Sequence, residues 1–306
     1  MRKSNQAFTI VEMLIAITVL AFIVLFVSRL VDSAAIITTQ GHKRMDADSQ
    51  GRQVLDRMAV DFDQMLKRTD VSYFIKAGTT GAAMIGNDRM AFFSAVPGNL
   101  ASTQSSYQSN VGVVAYRVNA DATANSYNRM ERMGKGLNLS GAYSGAITPL
   151  VFLDNAVTPT TTIASIWPAA ISATATDSDY EMIGSQVFRL EYYFLLKSIN
   201  GNPILDVNGN PTTLLSTGSQ WTNTNAFLVK DVAAIVVAIA AIDPKSRAIL
   251  TNAQITTLIG RLPDYAAGVP GQLLSAWQTG LNSSTDMPRP AIQNVRLYER
   301  YFYLNQ

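Results

Sequence analysis

The chain has 306 residues, 48% hydrophobic and only 15% charged, against about 25% charged in an ordinary soluble domain. Its 24 basic and 22 acidic residues nearly cancel, leaving too little surplus for a nucleic-acid-binding stripe, so no nucleic-acid partner is expected. Cysteine is absent and His42 is the single histidine, which excludes disulfides, thiolate metal sites, thiol nucleophiles and two-imidazole zinc motifs.

Residues 1–7 read MRKSNQA, and residues 8–31 follow as FTIVEMLIAITVLAFIVLFVSRLV with two charges, Glu12 and Arg29. About 20 apolar residues rising about 1.5 Å each span a hydrocarbon core of about 30 Å, and a helix satisfies its own backbone there. Arg2 and Lys3 precede the run, so the positive-inside rule predicts a cytoplasmic N-terminus with the remainder outside. A secretory signal would be cut at a small-residue site, for which Ser33-Ala34-Ala35 qualifies. A plain uncut anchor is the second use of such a segment. Neither gives Glu12 a role, although an unpaired mid-membrane carboxylate costs about 2.5–3.5 kcal/mol, and less near an interface.

A third use rests on Ala7-Phe8-Thr9-Ile10-Val11-Glu12. This string resembles the cleavage and assembly motif of type IV prepilins and type II secretion pseudopilins. That motif has a short basic leader ending in glycine, then phenylalanine, with glutamate as fifth mature residue. Here Ala7 stands where glycine is usual. The resemblance implies that a prepilin peptidase cuts between Ala7 and Phe8, that Phe8 is N-methylated, and that the apolar helix is retained. Glu12 would then meet the new Phe8 ammonium of a neighbouring subunit. Such a pair in a dry bundle acts as a register device more than as net glue. Loss of Arg2 and Lys3 with the leader would leave 22 basic against 22 acidic residues. Pilins often carry a helix-bending proline where this chain has Arg29, so no break is expected there.

Residues 32–70 are predicted to continue the helix in amphipathic form, with Gly41 and Gly51 weakening it by about 1 kcal/mol each. The pairs Asp48/Arg52 and Asp63/Lys67 mark an exposed face, while Leu55, Met58, Phe62, Met65 and Leu66 form an apolar stripe suited to a sheet. His42, beside Lys43 and Arg44, reads as a surface residue. From residue 71 to 306 the pattern is that of an α+β head. Strands are predicted at 90–96, 111–118, 187–197, 232–242 and 295–304, and helices at 251–262 and 272–281 with Thr251 or Asn252 as cap. Alanine content leaves a helix open at 232–242. In 187–197, Phe188, Leu190, Tyr192, Phe194 and Leu196 are expected on one face, opposite Arg189, Glu191 and Lys197. Loops rich in Ser, Thr, Asn and Gly fall at 101–110, 120–126 and 158–176.

Asn200-Gly201-Asn202-Pro203 recurs as Asn208-Gly209-Asn210-Pro211, which predicts two successive turns. Asp206, Asn208 and Asn210 imitate the start of a calcium loop, but Pro211 and Thr217 stand where glycine and an acid are required. No phosphate loop, dinucleotide fingerprint or nucleophile elbow is present, and pairs such as Asp177 and Asp179 have no assignable site. No metal, cofactor or catalytic residue is expected.

Beyond residue 31 the order of elements resembles J-type minor pseudopilins: residues 58–67 (MAVDFDQMLK), Phe92-Phe93, Tyr116-Arg117 and residues 129–133. The closing VRLYERYFYL and the two helices with Trp277 are similar to a prepilin-like family called Verru_Chthon cassette protein C. The resemblance implies a leader (1–7), a membrane-spanning assembly helix (8–31), its amphipathic continuation (32–70) and a β-sheet-rich head (71–306). It implies a single-pass inner-membrane subunit of a bacterial envelope with a periplasmic head, extracted into a pilus-like filament with other pilin-type subunits. The large head suits a minor subunit. The rival expectation is an exported or membrane-anchored enzyme or binding module that uses the N-terminus only for targeting.

Overall fold

The computed structural model describes residues 9–67, 73–75, 86–95, 112–136, 180–196, 213–215, 220–221, 232–265 and 271–304. The chain divides into two compact units, Met1–Met45 and Asp46–Gln306. Helix α1 is continuous over Ile10–Asp63 and passes Arg29, Gly41 and Gly51 without interruption. No proline lies within it, so nothing removes a backbone donor from its ladder.

In the second unit α1 buries Ala47, Val54, Leu55, Met58 and Phe62. The helical path expected to residue 70 ends at Asp63. Met65 instead pairs with Ser94, and the Leu66 amide donates to the Phe93 carbonyl at 2.9 Å. A strand edge thus takes over the backbone groups that another helical turn would have used.

The described strands are β1 (Tyr73–Ile75), β2 (Met90–Ser94), β3 (Gly112–Val118), β4 (Met130–Gly136), β5 (Tyr180–Gly184), β6 (Val187–Leu196), β7 (Thr213–Leu215), β8 (Gln220–Trp221), β9 (Val232–Ile242) and β10 (Val295–Tyr303). They form antiparallel sheets in the orders β5-β4-β3-β2-β1-β8 and β10-β9-β6-β7. The helices of the head are α2 (Pro244–Arg247), α3 (Asn252–Arg261), α4 (Gln272–Asn282) and α5 (Arg289–Ile292). The expected α+β class, a long N-terminal helix followed by a sheet-rich head, is the class observed.

Two cores share the strands β6 and β9. The first gathers Val54, Leu55, Met58, Phe62 and Met65 with residues of β2, β3, β4, β6, β9 and β10. The Phe62 ring lies 5.1 Å from Phe92 and 4.9 Å from Phe302 between centroids. Full burial of each such side chain contributes about 1.5–3 kcal/mol, so this stripe fixes the second half of α1 on the head. The second core packs α3 and α4 against the opposite face through Ile255, Leu258, Ile259, Leu273, Trp277 and Leu281. Thr251 and Gln254 close a reciprocal capping box at the start of α3, as the predicted cap requires. Gly280 lets α4 approach α3, since a Cβ there would lie 2.1 Å from the Arg261 carbonyl oxygen.

Residues 232–242 are a strand, settling the helix-or-strand ambiguity. The polar face expected for β6 is absent: Arg189 and Glu191 are 0% and 1% exposed. A register shift between Val187 and Arg189 turns Phe188 into the second core, away from Leu190 and Tyr192, and the α3–α4 layer covers that face. The buried charges are paired. Arg189 Nη2 donates to Glu191 Oε2 at 3.1 Å and to Asp264 Oδ1 at 2.7 Å, while Nε donates to the Leu262 carbonyl. The guanidinium also faces the Trp277 ring at 5.4 Å. The repeated turns at 200–211, the calcium-like string, Asp177, Asp179 and Lys197 lie outside the described residues.

Candidate assembly segment

The first unit carries the expected assembly segment. Apolar side chains from Ile10 to Val31 point outward all round α1; Phe22 and Phe26 are each 65% exposed. This stretch is long and apolar enough to cross a membrane, and none of its most apolar 18-residue window is buried. A single apolar helix of this kind is compatible with single-pass anchoring.

Ala7 and Phe8, the expected processing residues, lie outside the described residues. Glu12 lies in the first turn of α1 and is bonded within its own chain. Its Oε2 accepts from the Thr9 amide and from Thr9 Oγ1, both at 2.9 Å, and its own amide donates to Thr9 Oγ1 at 3.3 Å. Thr9-Ile10-Val11-Glu12 is therefore a capping box that satisfies donors otherwise orphaned at a helix start. The Thr-x-x-Glu spacing is the sequence signal for this box, and its partner is a neutral hydroxyl and amide, not an opposite charge.

Arg29 and Asp32 share one helix face with Ile17, Leu20, Ala21, Val24, Leu25 and Ser28. His42 is exposed, as expected. No group of three or more potential metal-ligating side chains occurs among the described residues.

In the head, the segments that suggested a minor pseudopilin converge on Asp61, a carboxylate in the apolar stripe with no exposed surface. Arg132 on β4 grips it in a fork, Nε to Oδ2 at 2.6 Å and Nη2 to Oδ1 at 2.9 Å, and the Tyr116 hydroxyl on β3 donates to Oδ2. Arg57 adds a looser contact at 3.5 Å. Burial and the negative charge of Asp61 hold the Tyr116 hydroxyl well above its ordinary value. Burial pulls Arg132 down, but its hydrogen bonds to Asp61 and the carboxylate's charge outweigh this and raise it. Beside this group Arg117 bonds Glu131 at 2.7 Å and lies over the Tyr180 ring at 3.7 Å. The Asp61 cluster is a buried tether between α1 and the six-stranded sheet, whereas Arg117, Glu131 and Tyr180 tie strands together within that sheet.

The prokaryotic N-terminal methylation motif matches residues 2–28. The first helix carries a pilin-type methylation motif. The match ends well before the head, and no curated protein or solved structure matches the chain. Type IV pilin-like character is thus supported for the N-terminal segment, in a class whose members are typically structural.

Proposed function

We propose that this chain is a structural subunit of a pilus-like filament or secretion pseudopilus. A prepilin peptidase removes residues 1–7 between Ala7 and Phe8, Phe8 is methylated, and the head stays on the outer side of the inner membrane. The observation that carries this reading is the methylation motif over residues 2–28, leading into a helix whose most apolar stretch is wholly unburied. Bundling with similar helices would replace lipid by protein around that surface. Cleavage would also place a new ammonium one residue before the Thr9–Glu12 box. In the bundle, Glu12 exchanges its local bonds for the Phe8 ammonium of a neighbour, and the exchange is worthwhile only when both charges arrive.

Within this reading the head suits a minor subunit. The Asp61–Tyr116–Arg132 cluster joins the segments similar to J-type pseudopilins, and β10 with Trp277 carries the likeness to Verru_Chthon cassette protein C. The domain division follows: leader 1–7, assembly helix 8–31, continuation 32–70, head 71–306.

A second reading has one specific observation in its favour. The capping box gives Glu12 a use in a lone helix, which suits a plain membrane anchor for a binding module. Co-expression with a prepilin peptidase, followed by mass analysis and shearing of surface filaments, separates the two. The subunit reading expects loss of residues 1–7, incorporation of the wild type, and impaired incorporation of Glu12→Ala with membrane insertion intact. Equal incorporation of that variant, or an uncut chain, contradicts it.

A further inference from the structure

The turn between β3 and β4 meets the short helix α2 through Arg247, and the same turn carries Arg129; among the described residues neither arginine has a counter-charge bonded to it. Arg247 Nη2 donates to the Tyr127 carbonyl at 3.0 Å, while its Nη1 is closed to solvent with no acceptor. Arg129, two residues beyond Tyr127, touches Met182 Sδ at 3.8 Å through Nη1, and its Nε likewise has no acceptor. Among the described residues neither guanidinium has an ion-pair partner. Asp243, one turn before Arg247, caps α2 through Oδ1 while its buried Oδ2 makes no hydrogen bond, and it forms no ion pair with Arg247; Asp121 Oδ1 is taken by Thr123. Burial, then repulsion from Arg129, lowers Arg247 to about 10.

The surrounding framework is set. Tyr127 Oη and Thr256 Oγ1 lie 2.9 Å apart, and Asn128 holds a left-handed backbone with φ of 53° while its amide donates to the Asn119 carbonyl. Both arginines remain partly open to solvent, and Met182 and Ile249 beside them are 48% and 49% exposed. Two like charges held at a partly dry surface, with no ion pair among the described residues and part of each guanidinium still open, call for a shared acceptor of negative charge. Planar guanidinium forks suit an oxyanion.

We propose that Arg129 and Arg247 form an oxyanion site that takes one carboxylate or phosphate group between the turn and α2. The exposed Met182 side chain against Arg129 suits a carboxylate carried on a protein side chain. The site rests on the head alone and stands independently of whether the N-terminal helix is processed.

The test uses the full chain in detergent micelles, with arginine Nε–H signals followed by NMR. Sodium acetate and sodium phosphate are titrated separately at constant ionic strength against chloride. Saturable shifts of both Arg129 and Arg247 signals are expected, with affinity at least tenfold weaker in Arg129→Gln. The Arg129 side chain makes no bond to the turn backbone, and the turn's main-chain bonds through Arg129 do not depend on that side chain, so this variant keeps the fold; Arg247→Gln is the second, with the Arg129 signal as its readout. Acetate stronger than phosphate supports a protein-borne carboxylate, and the reverse order a free inorganic anion. Shifts that fail to saturate, or that persist unchanged in Arg129→Gln, overturn the site.

Discussion

Up to Val31, α1 leaves its large apolar side chains open, Leu30 at 70% and Phe22 at 65%, whereas from Ala47 onward it buries Met58 at 0% and Phe62 at 2%. Both stretches belong to one continuous helix, yet residues 10–31 are almost wholly apolar whereas residues 47–63 mix apolar side chains with charged ones. A large apolar side chain is left open or buried according to what else the helix surface carries around it. In the later stretch, charged residues alternate with apolar ones and leave a stripe that a sheet can cover. In the earlier stretch the apolar surface runs round the whole helix, which only lipid or other apolar helices can cover.

The largest effect should come from one substitution made twice. Phe62→Ala should destabilise the head by about 3–5 kcal/mol, read by urea unfolding, because it empties contacts with Phe92 and Phe302. Phe22→Ala should leave the same unfolding midpoint unmoved; a shift there would mean that the exposed stretch helps to stabilise the head. Asp61→Ala should cost a comparable 3–5 kcal/mol, roughly, since it strands Arg132 and the Tyr116 hydroxyl in the interior.

A smaller effect is expected at Gly51, where a Cβ would lie 2.6 Å from the Tyr298 ring. Gly51→Ala should cost about 1–3 kcal/mol despite alanine's better helix propensity. A gain in stability would show that Tyr298 gives way, releasing its hydroxyl from Asp48.

The smallest concerns Glu299, whose carboxyl is pushed above its ordinary 4.5 by burial, against the lowering effect of the Tyr193 hydroxyl bonded at 2.8 Å. A raised folded value means the folded head holds this proton more tightly than the unfolded chain. Stability from this group is therefore present below 4.5 and declines as pH rises from there through the folded value. Glu299→Gln should flatten that part of the stability profile in calorimetry between mild acid and neutrality; an unaltered slope would contradict the assignment.

Much of this was legible from residue patterns. The stripe from Leu55 to Met65, the capped helix after Thr251 and the buried strand 232–242 follow from periodicities of 3.6 and 2 and from capping chemistry. Failures came where a local pattern met a tertiary partner. Alternation in β6 gave Arg189 and Glu191 to water because nothing local reveals a bulge at Phe188 or a helical layer above it. The end of α1 was misplaced because Leu66 bonds Phe93, a residue distant in sequence. Nothing local marks Asp61, since its partners Tyr116 and Arg132 come from separate strands. In the assembly segment, Glu12 stood out through the cost of a charge among apolar residues, yet its nearest partner, Thr9, is a neutral hydroxyl and amide three residues away.

The most direct measurement is the intact mass and N-terminal sequence of the native polypeptide taken from its own membrane. A chain beginning at N-methylated Phe8 and retaining residues 8–31 is the predicted result. A chain still beginning at Met1, or one starting beyond Ala35 with the apolar helix gone, would contradict the account.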